Sequence, residues 1–480
     1  MQKVKNSELL LSYIREGRTM SQREKLWLIV SLSIPSILAQ ISATVMFFID
    51  ASMVGHLGAK ASAAIGLVAT TGWLMGGLSH AASLGFSVQV AHFIGANDFE
   101  AARRVLRQSL VCCLLWALTM SLICVLISGP LPYWLGGSEE IAGDASLYFM
   151  VIGVCGIFFQ MEGLAGSMLN IGMCVMDVAF NYLFIYTLGM GVVGAAMGTG
   201  VAELITAALM LYFLLAKSSM LSLYRRRGDT EERGYENSSN AESNLAPPHH
   251  RTTAPAKSFR PTSDVVSTAI KIGAPMGLQH LLMGSAQIIS TLIVAPLGTI
   301  AIAAHSLAIT VESLCYMPGY GIAEAATTLV GQGIGAGQRL LTRSFARMSV
   351  GLGIGVMTFM GVLMWIFAPE LMALMSPVEE MIAQGIQVLR IEAWAEPMFA
   401  AAIVTNGVFI GAGDTLIPAI MSLCSMWAVR LTLAATLAPR YGLKGVWTAM
   451  AIELTFRGSI FLTRLFKGGW AEKLRVKKES

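Results

Sequence analysis

Residues 35–58 read PSILAQISATVMFFIDASMVGHLG, and residues 275–298 read PMGLQHLLMGSAQIISTLIVAPLG. Each opens on a proline, closes on Leu-Gly and is apolar almost throughout. Pro35 lies 240 positions before Pro275, and Gly58 lies 240 before Gly298. The register continues outward. HLGAKASAA matches PLGTIAIAA, FIGAN at 93–97 matches GIGAG at 333–337, Arg103 and Arg107 match Arg343 and Arg347, and Glu139-Glu140 match Glu379-Glu380. One offset held over so long a stretch marks an internal parallel repeat, a common plan for membrane transporters with a site near the repeat interface.

Composition gives the setting. The chain has 480 residues, 55% hydrophobic and 13% charged, against about 25% charged in a soluble domain. Mean hydropathy is +0.65. Twelve apolar stretches of roughly 20 residues fit this length. Long apolar runs exclude a β-barrel, whose strands alternate apolar and polar, and the balance excludes an ordinary soluble enzyme, a nucleic-acid binder and a disordered chain. The expected fold is an all-α polytopic membrane protein, twelve transmembrane helices in two six-helix lobes. Spans are expected at 26–52, 61–92, 102–128, 144–168, 170–188, 191–216, 268–294, 300–332, 342–368, 384–411, 415–437 and 442–465.

The domain reading follows. Residues 1–25 form a basic segment, 26–217 the N-lobe, 218–262 a polar linker, 263–468 the C-lobe and 469–480 a tail. The linker is rich in Ser, Asn, Arg and Glu, which cannot bury a core. The net charge of +4 reports orientation. Lys and Arg gather at the N-terminus, after spans two, six and eight, and in the tail, which places both termini in the cytoplasm. No cleavable signal precedes the first span, and a bacterial inner membrane is expected. The seven cysteines all sit in apolar runs without a CxxC or Cys/His cluster, so they read as small buried hydrophobes.

The register breaks once. Gly191-Val-Val-Gly194 matches Gly442-Leu-Lys-Gly445 at 251, so the first half is 11 residues shorter between 140 and 191. The simplest reading removes the counterpart of 410–420, a Gly/Asp/Pro turn between spans ten and eleven. Residues 144–188 must then supply two spans and a very tight turn.

SIPSILAQISATVMFFIDASMVGHLG, FIGAN, LGMGVVGAAMGT, IGAPMGLQ, APLGTIAIAAHS, PGYGIAEAATTLVGQGIGAG and GVFIGAGDTLIP, in this order and spacing, resemble the multidrug and toxic compound extrusion (MATE) family over roughly 26–468. The resemblance implies an antiporter that exports organic, often cationic, compounds by rocking between outward- and inward-open states, driven by Na⁺ or H⁺.

Ionisable residues inside spans cost about 2.5–3.5 kcal/mol at the centre and need a reason. They are Asp50, Glu162, Asp177, Glu203, Glu312, Glu324, Glu392, Glu396 and Glu453, against Arg390, Arg430 and Arg457. An excess of acids suits a path for cations or protons. Asp50 matches the family's span-one aspartate, expected to ligate Na⁺ or take up a proton. Asp177 and Asn181 lie four apart and share a helix face; many family members have Asn first and Asp second, the reverse of this chain. Thr199 matches a family threonine. These four residues form the expected cation-binding or proton-coupling site, with Na⁺ as the metal in question. Where some branches carry a span-seven glutamate, this chain has Met283. Gln279, His280, Gln287 and Glu312 are expected to line the cavity. Glu396 precedes Pro397, which bends a helix and frees carbonyls. The competing readings are a lipid-linked oligosaccharide flippase of a related superfamily and a chain impaired by the missing turn. No enzyme motif is present. The expected partners are lipid and small organic cations, with no nucleic acid and no cofactor beyond the coupling ion, in a monomer.

Overall fold

The computed structural model describes residues 2–159, 167–212 and 259–472, and these hold helices and turns with no strand. Helix α1 spans Gln2–Glu16. The N-lobe follows with α2 (Gln22–Gly55), α3 (Ala59–Gly95), α4 (Phe99–Ser128), α5 (Glu139–Phe159), α6 (Ser167–Tyr182) continued by a π-helix over Leu183–Thr187, and α7 (Gly191–Tyr212). The C-lobe repeats the order with α8 (Ser263–Val294), α9 (Thr299–Gly335), α10 (Arg339–Met375), α11 (Glu379–Glu392) and α12 (Glu396–Gly411). It ends with α13 (Leu416–Cys424), a π-helix over Ser425–Leu431, α14 (Thr432–Tyr441) and α15 (Leu443–Lys467). Among the described residues, nine segments are each long and apolar enough to cross a membrane, and the bent pair α11–α12 makes a tenth.

The turns repeat as the sequence does. Gly58 and Gly298 have φ of 109° and 99°, Asn97 and Gly337 of 59° and 72°, Gly191 and Gly442 of 58° each. A left-handed backbone is cheap only for glycine and tolerable for Asn, so each pair stops one helix at the same place in both lobes. Ser21 starts α2 with a reciprocal cap: its backbone N–H donates to Glu24 Oε2 at 2.7 Å, and the Glu24 N–H donates to its hydroxyl at 3.3 Å, which satisfies two donors the helix leaves open.

Three expected spans differ in detail. Span ten is not one rod over 384–411. It is broken between Glu392 and Glu396, and its halves meet at 60°. Pro397 stands at the start of α12, where its missing N–H costs nothing. Spans five and eleven each contain a π-helical stretch, which periodicity does not encode. The tight turn expected at residue 169, between spans four and five, is not there: one helix runs unbroken from Ser167 to Tyr182, and the preceding helix ends at Phe159. Glu162 lies outside the described residues.

The lobes face each other through α2 against α9 and α3 against α8, with small residues at the crossings. A Cβ on Gly85 would collide with the backbone of Ala269, one on Gly273 with Ala81 and one on Gly321 with Ile37. The ends of α3 and α9 meet reciprocally: Gly95 lies against the Gln332 carbonyl, and Gly335 against the His92 carbonyl. His92 and Gln332 are themselves repeat partners. Helix α1 lies across this end. Leu10 and Ile14 pack with Leu28 and Ile29 of α2 and with Leu329, Leu341 and Phe345 of the C-lobe. Its last carbonyls are held from both sides, Arg15 O by Asn97 Nδ2 at 3.2 Å and Ile14 O by Gln338 Nε2.

Candidate functional site

In the N-lobe, Asp50 comes from the C-terminal half of α2, Asp177 and Asn181 from α6, and Thr199 from α7. The Asn181 amide donates to Asp50 Oδ1 at 2.9 Å and to Asp177 Oδ2 at 3.1 Å. Asp50 and Asp177 lie within hydrogen-bonding reach of each other, and Thr199 lies beside Asp177. Asp177 and Asn181 are each 1% exposed. Asp177 Oδ1 and Asn181 Oδ1 are buried without a hydrogen-bond partner, an arrangement that costs free energy unless a proton or cation completes it. Gly198 makes room, since a Cβ there would strike the Asn181 amide oxygen. Two carboxylates, an amide and a hydroxyl are hard oxygen donors suited to a small cation. The same pair of carboxylates can also hold one proton between them. No cluster of three or more His, Cys, Asp or Glu suited to a metal occurs among the described residues.

A second polar cluster fills the C-lobe interior. Arg457 grips Glu453 in a fork, Nε to Oε1 at 2.8 Å and an Nη to Oε2 at 2.7 Å, and Ser425 donates to Glu453 Oε1 at 2.6 Å. Glu392 and Glu396, flanking the bend, are fully buried; neither Glu392 oxygen has a hydrogen-bond partner, and Glu396 has the Cys315 thiol beside it. Arg430 lies within electrostatic range of Glu312, Glu392 and Glu453.

The third group lines the cleft between lobes. Gln40, His80, His280, Tyr320 and Glu324 lie near the middle of their helices. His80 and His280 face each other across α3 and α8 with ring centroids 6.5 Å apart, edge to face. Gln40 Nε2 donates to Glu324 Oε1 at 2.8 Å across α2 and α9. His80, His280, Tyr320 and Glu324 nonetheless stay accessible, at the seam where α2 meets α9 and α3 meets α8.

The sequence model of the MatE family matches this chain twice, over residues 35–197 and 275–436, beginning at the two repeat prolines. The chain belongs to the MATE family. Its relatives include the probable multidrug resistance protein NorM of Thermotoga maritima, 23% identical over 469 residues and 94% of each chain. The protein of the same name from Chromobacterium violaceum is 25% identical over 449 residues, 90% of this chain and 91% of that one. Among solved structures, a MATE in complex with MaL6 superposes with a TM-score of 0.81 at 21% identity over 94% of this chain and 98% of that one. A MOP superfamily transporter from Pyrococcus furiosus gives 0.80 at 21% identity over 94% and 97%. The Vibrio cholerae MATE transporter VcmN gives 0.78 at 16% identity over 98% and 100%. The protein is therefore a multi-pass membrane transporter with the MATE fold.

Within that fold, the residues expected to carry coupling, Asp50, Asp177, Asn181 and Thr199, come together from three helices. Of the expected cavity residues, His280 borders the cleft. Gln287, exposed and two turns further along α8, shares its face. Gln279 is half-buried, with its Oε1 unpartnered. Glu312 does not line the cleft. It is 5% exposed inside the C-lobe, because twelve residues of α-helix rotate it about 120° away from Glu324. Sequence reasoning missed His80, the cleft position of Glu324, and Tyr148, which lies in electrostatic range of Asp50, Asp177 and Glu203. The Glu453–Arg457 spacing of four was the available signal for the C-lobe fork.

Proposed function

We propose that this MATE transporter is a cation-coupled multidrug antiporter that exports organic, cationic compounds by alternating access of its two lobes. The observation carrying the reading is the N-lobe constellation. Two carboxylates that touch cannot both stay charged in a buried site, so the pair must take up a proton or a cation such as Na⁺, and releasing it alters the charge and packing between α2, α6 and α7. Asp50 and Asp177 would hold the coupling ion, with Asn181 and Thr199 completing the oxygen set. The relatives named as multidrug resistance proteins support the substrate class. The distribution of Lys and Arg supports cytoplasmic termini in a bacterial inner membrane, and one chain holds both lobes, so a monomer suffices.

Everted membrane vesicles preloaded with ethidium, with Na⁺ and H⁺ gradients imposed separately, test this reading. Wild type is expected to respond to one gradient, and Asp50→Asn to neither. No response in wild type to either gradient refutes it.

A further inference from the structure

Glu324 differs from the other buried-depth acids of this chain. Asp50 and Asp177 engage Asn181 inside one lobe. Glu453 is neutralised by Arg457, and Glu392 and Glu396 are sealed from solvent. Glu324 stands at the middle of α9 in an accessible position. Its carboxylate interacts with Gln40 and Ser36, both on α2 of the opposite lobe. Neutral donors leave its charge uncompensated, at a depth where a charge is costly. One turn earlier on the same face stands Tyr320, 43% exposed, its ring edge to face with Tyr316 at 5.9 Å, and Tyr316 in turn against Phe399 at 5.5 Å. The guanidinium nearest in effect to Tyr320 is Arg457, which Glu453 already occupies.

We infer that Glu324 and Tyr320 bind the positive end of the substrate in the cleft, and that Gln40 competes with it for the Glu324 carboxylate. The ligand class is an organic cation with a flat aromatic body, its charge on the carboxylate and its face on the phenol ring, where cation–π attraction adds to the ionic contact. The inference rests on the reading of the protein as an exporter of organic cations and adds a link between binding and motion. The Gln40–Glu324 hydrogen bond joins the two lobes. A cation that takes the carboxylate removes that bond, so occupancy of the cleft weakens one of the ties that hold α2 against α9.

The test is equilibrium binding of ethidium to the full chain in lipid nanodiscs, read by fluorescence polarisation. Glu324→Gln is expected to weaken binding at least about tenfold, as loss of a charged hydrogen-bonding partner does. Tyr320→Leu is expected to weaken it by roughly three- to thirtyfold. Gln40→Ala, which removes the competitor, is expected to tighten it, an effect that a purely structural glutamine would not produce. Glu324→Asp restores most of the affinity and covers the case in which the glutamine variant is poorly folded. If wild type binds ethidium and both Glu324→Gln and Gln40→Ala bind it equally well, the anchor is refuted while the efflux reading stands. If wild type itself binds no ethidium, the organic-cation reading falls, and this inference with it.

Discussion

The two lobes share turn geometry and chain order, yet their polar interiors have nothing in common. At the repeat offsets, Asp50 stands opposite Ser290, Asp177 opposite Ala428, Asn181 opposite Thr432 and Thr199 opposite Met450. In the other direction, Glu312 stands opposite Gly72, Glu392 opposite Ile152, Arg430 opposite Ala179, Glu453 opposite Ala202 and Arg457 opposite Thr206. Where one lobe carries a charge, the other carries a small, apolar or uncharged residue. The repeat therefore preserves what the backbone needs, the left-handed turns and the glycines at helix crossings, and leaves each lobe free in its chemistry. The N-lobe cluster is acidic with no base bonded to it. The C-lobe cluster holds four glutamates around two arginines, and only Glu453 is gripped. A site with unbalanced charge can exchange a cation, whereas a forked ion pair is built to stay closed.

The largest expected effect sharpens this contrast. Asp50→Asn and Asp177→Asn should each reduce gradient-driven ethidium movement to the level of vesicles lacking the protein, and Glu392→Gln should leave most of it. The reverse outcome would move coupling to the C-lobe. Next comes stability. Glu453→Ala leaves Arg457 buried and unpaired and should cost about 3–5 kcal/mol, seen as a lower melting temperature in detergent. Glu392→Gln removes a buried carboxylate that has no hydrogen-bond partner and should leave that temperature unchanged or raise it. Gly198→Ala, which forces a methyl group toward the Asn181 amide, should cost about 1–3 kcal/mol by overpacking and weaken ion coupling as well. The smallest effect is its mirror. Position 449, the repeat partner of 198, is a fully buried alanine, and Ala449→Gly should cost about 1 kcal/mol with no change in coupling. If Gly198→Ala and Ala449→Gly behave alike, the asymmetry between the lobes is not what sets their roles.

Much of this was legible in the sequence. The 240-residue register located the lobes, and the spacing of four between Asp177 and Asn181 put both on one helix face; that this face meets Asp50 comes from the structure. Apolarity located most of the spans, but not the 60° bend, which depends on residues 393–395 leaving the helix ahead of Pro397. The cleft was less legible. Glu312 and Glu324 are equally improbable in a membrane helix, and hydropathy does not say which one faces the other lobe. The structure decides: Glu312 is buried inside the C-lobe, and Glu324 meets Gln40 of α2. His80 passed unnoticed because a single histidine in an apolar run gains meaning only when His280 is found across the seam.

Helix α1 has a consequence for the energy landscape. Its two terminal carbonyls are held by amides from different lobes, at the paired bends after α3 and α9. Two such grips, each worth about 1 kcal/mol, do little for the stability of either lobe alone. They count only in arrangements that keep the two bends within one helix width. In the proposed cycle of alternating access, the first sixteen residues act as a weight on one side of a balance: they set how often the lobes part at that end, by roughly thirtyfold for about 2 kcal/mol.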